Sequence, residues 1–263
     1  MNMVEVNTAV IYGYGINCDY ETQRAFELSG ANPERIHFNE LKDDPSIFGK
    51  YQIVALPGGF SFGDDISAGK ILSVKTQRYL GDTLREFLER NGLVIGICNG
   101  FQALVKMGIL PGFDSGEQSV TLFRNDSGRF EDRWVYLGTE QSPCIFTQGM
   151  DELYLPVRHG EGKFVPMDDN VLKKLDEGNQ VVLRYTNENG LSTQEFPYNP
   201  NGSVDAIAGI CDPTGRVFGL MPHPEAYTNS YQHPRWTRQK IEGTLPDEGQ
   251  GLQIFRNAVN YFR

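Results

Sequence analysis

Cysteine is scarce in this chain: four residues, Cys18, Cys98, Cys144 and Cys211, none close to another in sequence. Without a C-x-x-C pair there is no zinc knuckle, no thioredoxin-type redox motif and no metal site readable from spacing. Such usage fits a reducing, cytoplasmic setting. Basic residues are in deficit, 24 Lys and Arg against 34 Asp and Glu, for a formal net charge of −10. A chain this acidic is repelled by phosphate backbones, so nucleic acid is not an expected partner, although a small anionic substrate stays open because one site can be locally basic. Long apolar runs are missing too. None approaches the roughly 18 residues that a membrane helix needs, so no membrane partner is expected. The opening MNMVEVNTAVIYGYG has no basic segment and reads as a first strand rather than a signal peptide. No repeat, low-complexity tract or clear linker divides the 263 residues, and they read as one domain, 1–263.

What is present is an alternation of strand and helix patterns in the first half. TAVIYGYG is a short β-rich run ending in glycines, and DYETQRAFELSGA is helical, with Asp19 as a candidate N-cap and Gly30 as its stop. RIHFNEL reads as a second strand and YQIVALPGGF as a third. A long helical region over 66–92 follows, with a possible break at Gly81. LVIGIC is a fourth strand, apolar throughout, as in a sheet covered on both faces. FQALVKMG is helical again. This order predicts a parallel sheet with right-handed crossovers, and ligands bind beyond the carboxyl ends of such strands. The glycine turns at 13–15, 58–59 and 96–100 fall on that edge.

From about 114 to 200 the helical pattern fades into strands and loops. VDAIAGICDPTGRVFGLMP reads as a hairpin turning at Asp-Pro-Thr-Gly. The polar stretch 228–250 reads as a loop, and GLQIFRNAVNYF as the last helix.

The stretch VIGICNGFQALVKMG places Cys98 between two glycines where a strand gives way to a helix. G-x-C-x-G is the cysteine form of the nucleophile elbow, a tight strand-to-helix turn that exposes one side chain at a helix N-terminus. Helix termini and nearby histidines favour the thiolate. An isolated cysteine is usually a small buried hydrophobe; the strand, the glycines and the helix reverse that expectation for Cys98. Cys18, Cys144 and Cys211 lack the context and read as structural.

A nucleophile needs a base, and the base an orienting group. His223 in GLMPHPEAY follows a strand-like run ending on the functional edge, between Pro222 and Pro224. Glu225 lies two residues on, so in an extended segment both side chains point the same way. His159 in VRHGEGK is the alternative base, or a wall or turn residue; His37 and His233 read as surface residues. Acyl transfer also needs donors for an oxyanion. Gly58 and Gly59 of LPGGFSFGDD, with Asn99, supply backbone N–H groups at a strand end. Gly13-Tyr14-Gly15 hints at a dinucleotide fold, but Cys18 stands where its third glycine belongs, and there is no Walker A motif.

GICNGFQAL together with MPHPE resembles the class I, triad-type glutamine amidotransferases. GINCDYE, LPGGFSFGDDISAG, RHGEGKF and NPNGSVDAIAGICDPTGRVFGLMPHPE narrow the resemblance to the separate glutaminase subunits of phosphoribosylformylglycinamidine synthase, over about residues 13 to 226. RNDSGRFEDRWVYL is similar to the corresponding part of some members, including the fused, single-chain enzyme. The resemblance implies an α/β fold, a mostly parallel sheet flanked by helices in the flavodoxin-like arrangement of this class. It places the nucleophile on Cys98, the base on His223 and the carboxylate on Glu225. It gives backbone oxyanion donors at Gly59 and Asn99 and a substrate contact at Gln102. It also implies a reaction: glutamine is hydrolysed through a thioester, and the ammonia passes to a large synthetase subunit that uses ATP and magnesium to make formylglycinamidine ribonucleotide in purine biosynthesis. A small third subunit completes many such complexes, and no cofactor or metal is implied on this chain. The chain is longer than the shorter members around 114–150 and 228–250, stretches that could face partners. Other class I amidotransferase subunits, a cysteine hydrolase of the intracellular-protease-like branch and a non-enzymatic binding module are the competing readings. The MPHPE and HGEG contexts speak against the first. Asn99 after Cys98, where that branch carries histidine, speaks against the second, and the intact cysteine, histidine and glutamate against the third.

Overall fold

The computed structural model describes residues 5–113 and 117–263. Its centre is a nine-stranded sheet in the order β2-β1-β3-β4-β11-β10-β9-β6-β7. The parallel half contains β1 (Asn7–Tyr12), β2 (Asn32–His37), β3 (Ile53–Leu56), β4 (Leu93–Ile97) and β11 (Val217–Leu220). The rest runs antiparallel: β10 (Ile207–Cys211), β9 (Val181–Thr186), β6 (Glu131–Thr139) and β7 (Glu152–His159). A separate small ladder pairs β5 (Val120–Phe123) with β8 (Lys163–Pro166). The helices are α1 (Asp19–Leu28), α2 (Phe38–Asp43), α3 (Lys70–Glu89), α4 (Asn99–Lys106), α5 (Asp169–Glu177), α6 (Trp236–Glu242) and α7 (Leu252–Asn260).

The apolar strands behave as their composition dictates. Every residue of β3, β4 and β11 is buried, as continuous Val/Ile/Leu runs require when helices cover both faces. The crossover from β1 to β2 steps one way along the sheet and that from β3 to β4 the other. Right-handedness therefore puts α1 and α3 on opposite faces. On the α1 face, Phe26 meets Phe255 of α7 edge-on at 4.9 Å. The reversal of direction between β1 and β3 is the switch point, where the sheet opens a crevice at its carboxyl edge.

Several sequence expectations are corrected. Strand β2 ends at His37, and FNEL belongs to α2, because His37 and Glu40 form a capping box that starts a helix there. Asp19 does not cap α1: Cys18 holds that position, while the Asp19 carboxylate pairs with Arg35 at 2.6 Å. Gly81 does not break α3, which runs unbroken through it. Helix α5, capped by Asp168, lies within the stretch read as strands and loops, and α6 lies within 228–250. His233 is buried rather than exposed, with its ring 5.5 Å from both Trp134 and Tyr154. Part of the long stretch read as 114–150, residues 114–116, lies outside the described residues.

Candidate active site

Strands β4 and β11 are parallel neighbours in register, with Ile97 opposite Leu220. Cys98 and His223 therefore leave the sheet side by side. The Cys98 N–H donates to the Leu220 carbonyl at 2.8 Å, fixing the turn to the next strand. Cys98 has φ 50° and ψ −102°, a left-handed-side conformation at a non-glycine residue. Such a backbone costs about 1–3 kcal/mol and persists only where packing imposes it. Here packing does. A methyl group on Gly96 would come within 2.8 Å of the Gly100 carbonyl carbon, and one on Gly100 within 2.7 Å of the Leu56 carbonyl carbon. The two glycines let α4 start directly against β3 and β4, so the turn has no room to relax. The Cys98 thiol itself lies 3.7 Å from the Arg158 carbonyl.

His223 is anchored through its N–H to the Pro156 carbonyl, 2.8 Å away on β7. The segment turns at once into a single 3₁₀ turn, Pro224–Ala226, rather than staying extended. The two side chains still meet: Nδ1 of His223 donates to Oε1 of Glu225 at 2.6 Å, which fixes the tautomer and leaves Nε2 as the basic nitrogen. Both residues are 2% exposed. Burial by itself pushes the imidazole pKa down, but the Glu225 charge and the nearby thiols of Cys98 and Cys18 outweigh it and hold it well above the ordinary value. Replacing Glu225 with Gln removes that charge while keeping the shape. The expected result is a kcat lower by about 10²–10⁴-fold, milder than loss of the nucleophile, with the His223 titration moved to lower pH. Steady-state kinetics and NMR of the ring check both.

The remaining predicted residues gather round this pair. Gly58 lies under the His223 ring, and a methyl there would come 2.7 Å from its Cε1. The Gly58 carbonyl accepts from the Asn17 and Cys18 N–H groups at 3.3 and 3.1 Å, and the Phe60 N–H donates to Gly15 at 2.9 Å, so the turns after β1 and β3 are zipped together. Gly59 takes φ 148°. Asn99 begins α4 and is buried; its side-chain amide donates to Asp64 at 3.0 Å and to Gln102 at 3.1 Å. Gln102 in turn donates to the Glu161 carbonyl at 2.5 Å. The Glu161 carboxylate accepts from the Ala68 N–H at 3.1 Å. The elbow, the 60–69 turn and the HGEG loop thus form one polar cluster. Glu161 is the wall residue that the HGEG setting suggests beside His159 and Gly160, whereas Asp64 carries no sequence signal beyond its glycine-rich setting. Burial, opposed by the Asn99 bond, raises the Asp64 pKa.

His159 packs into the wall of the site. It sits at the end of β7, 3% exposed, with Nδ1 3.1 Å from Asn125 Oδ1 and Nε2 3.5 Å from the Asn201 amide. Asn201 also donates to the Gly162 carbonyl and the Tyr185 hydroxyl, and Ser203 donates to Asn201 at 2.7 Å. The NPNGS stretch therefore braces the HGEG loop from behind. Burial first, and the charge of His223 second, lower the His159 pKa to about 3. An unfolded chain takes up that proton near pH 6.5 while the folded chain refuses it, so this group withdraws stability as pH falls from about 6.5 toward about 3. His159 is expected to show no ring titration by NMR between pH 8 and about 4; a midpoint near the ordinary value would contradict its buried neutral state.

Of the cysteines read as structural, Cys144 and Cys211 are buried and free. Cys18 is different. Its turn brings the thiol against His223, where burial raises its pKa in spite of the imidazole's pull. Sequence gave no sign of this, because the contact joins residues 205 positions apart (223 minus 18).

Residues 5–262 match the model of the CobB/CobQ-like glutamine amidotransferase domain, and the chain belongs to that family. Within it the relatives are narrower in kind. The chain is 50% identical to the phosphoribosylformylglycinamidine synthase subunit PurQ of Dehalococcoides mccartyi, over 99% of each chain. It is 42% identical to the subunit of the same name from Methanococcus maripaludis, over 96% of each. Among solved structures, a chain of PurLQS from Thermotoga maritima matches with a TM-score of 0.73 at 29% identity, covering 99% of this chain and 100% of that one. A glutamine amidotransferase from Thermotoga maritima, at 18% identity and a TM-score of 0.56, shares the fold.

Proposed function

We propose that this chain is the glutaminase subunit of a phosphoribosylformylglycinamidine synthase, with Cys98 as nucleophile, His223 as general base and acid, and Glu225 as the group that orients it. One observation carries the assignment: a cysteine held at a strained elbow beside a buried His223–Glu225 pair bonded at 2.6 Å, in a chain half identical to a PurQ subunit over its whole length.

The steps follow from the geometry. Cys98 Sγ attacks the side-chain carbonyl carbon of glutamine as its proton passes to His223 Nε2. The backbone N–H groups of Gly59 and Asn99 stabilise the oxyanion, each donor contributing on the order of 10²–10³ in rate. His223 returns the proton to the departing nitrogen, which leaves as ammonia, and a thioester remains. His223 then takes a proton from water, the hydroxide adds to the thioester carbon, and glutamate and the free thiol are released. Gln102 and the HGEG loop wall the pocket around the substrate. Ammonia passes to a large synthetase subunit, which holds the ATP and magnesium and converts formylglycinamide ribonucleotide to the amidine; a small third subunit joins the complex. On this reading the chain is a single cytoplasmic domain, and no cofactor is needed on it. Among the described residues no helix is long and apolar enough to cross a membrane.

The test is labelling with a diazo-ketone analogue of glutamine, alone and with the synthetase, followed by peptide mass mapping. Modification confined to Cys98 and blocked by glutamine is the expected result. Labelling only when the synthetase is present would place the last assembly step in the complex. No labelling with an active synthetase present overturns the proposal.

A further inference from the structure

The chemistry above leaves one buried nucleophilic group unused. The turn between β1 and α1 carries Cys18 into the same pocket as the base, and the Cys18, His223 and Glu225 ligand atoms all lie within 4.8 Å of one another. Among the described residues this is the sole grouping of three such side chains. One of its ligand atoms is unsatisfied: Glu225 Oε2 has no hydrogen-bond partner although the residue is 2% exposed. A thiolate sulfur, an imidazole nitrogen and a carboxylate oxygen are the donors that zinc takes, usually four to an ion. Magnesium and calcium prefer oxygen alone and are poorly served by a thiolate. The fourth position falls to water.

We propose that Cys18, His223 and Glu225 form an inhibitory site for a soft divalent cation, zinc above all. The proposal rests on the reading of His223 as the base. On binding, the Cys18 S–H bond ionises and its proton leaves to solvent, while the His223 Nδ1 proton that Glu225 held moves to Nε2; the sulfur, Nδ1 and a carboxylate oxygen of Glu225 each give a lone pair to the ion, and no electron is transferred. Glu225 Oε2, which no donor holds, is the oxygen free to turn toward it. A metal-bound imidazole can no longer accept the Cys98 proton, so glutamine hydrolysis stops. A chelator restores it, because no covalent bond has changed.

The experiment titrates the full-length chain with zinc alone against a chromophoric chelator. One zinc per chain is expected for wild type and for Cys98→Ala, with affinity weaker by about tenfold or more in Cys18→Ala and Cys18→Ser, the scale seen when a supporting group of a metal site is lost. In metal-free buffer Cys18→Ser keeps measurable glutamine hydrolysis, and its zinc inhibition curve shifts by the same factor. Unchanged zinc affinity in both Cys18 variants, no zinc bound at all, or affinity lost in Cys98→Ala but kept in the Cys18 variants would each overturn the proposal. Should the Cys18 variants misfold, cobalt(II) added to Cys98→Ala decides. A thiolate-to-cobalt charge-transfer band supports the site, and its absence sinks it. The binding measurement uses no glutamine, so a failed triad assignment, seen as Cys98→Ala retaining glutaminase activity, is read separately.

Discussion

Cys98→Ala is expected to abolish glutamine hydrolysis, with kcat lower by about 10⁴-fold or more, the scale of losing the nucleophile from an interdependent triad. The argument is covalent. Without Sγ no thioester forms, and what is left is binding and oxyanion stabilisation of a direct attack by water. Cys98→Ser is expected to fall nearly as far. Its hydroxyl ionises far less readily than a thiol, so the same His223–Glu225 pair yields a much weaker nucleophile. The fold should be indifferent to either change. Alanine and serine meet the same positive φ that cysteine already tolerates at 50°, and the side chain is small. Wild-type thermal stability with lost glutaminase activity, and synthesis rescued by added ammonia in the assembled complex, is the full expected pattern. Near wild-type hydrolysis by either variant would remove Cys98 from the mechanism.

That Cys98, His223 and Glu225 could be expected at one edge from sequence follows from where their signals lie. Each sits in a local pattern, G-x-C-x-G after an apolar strand and H-x-E after another, and parallel strands deliver their carboxyl ends to one edge. The register of β4 against β11 then brings two such patterns together. Gly58 and Gly59 were legible for the same reason, as the turn beyond β3.

The rest is long-range. Cys18 has no local mark, since helix α1 starts after it whether or not a histidine arrives from the far end of the chain. Asp64 meets the elbow through Asn99. His233 looked polar in a polar stretch, yet Trp134, Tyr154 and Tyr227 close over it. The stretch RIHFNEL reads as strand because Ile36 and Phe38 alternate at the strand period, but the capping box at His37 starts helix α2 there. Tertiary context and caps, not hydrophobic pattern, settled each of these.

Gly100→Ala is expected to destabilise the chain by about 1–3 kcal/mol and to lower glutamine hydrolysis by about 10²-fold or more, the cost of overpacking and of a misplaced nucleophile. Two effects oppose each other at this position. Gly100 lies in the first turn of α4, where alanine ordinarily gains about 0.8–1 kcal/mol in helix propensity. The added methyl, however, is driven into the Leu56 carbonyl and lies 2.8 Å from the Leu56 Cβ. Leu56 belongs to β3, every residue of which is buried between neighbouring strands, so it cannot yield. The helix must move instead, and Cys98 moves with it. Gly81→Ala in α3 is the control, because a methyl there meets nothing within 4 Å. With sterics silent, propensity wins, and that variant is expected to gain about 0.5–1 kcal/mol. Urea denaturation of both, with activity measured on the same preparations, separates the two effects. A Gly100→Ala chain as stable and active as wild type would mean that α4 does not press on β3, and the strained elbow would lose its cause.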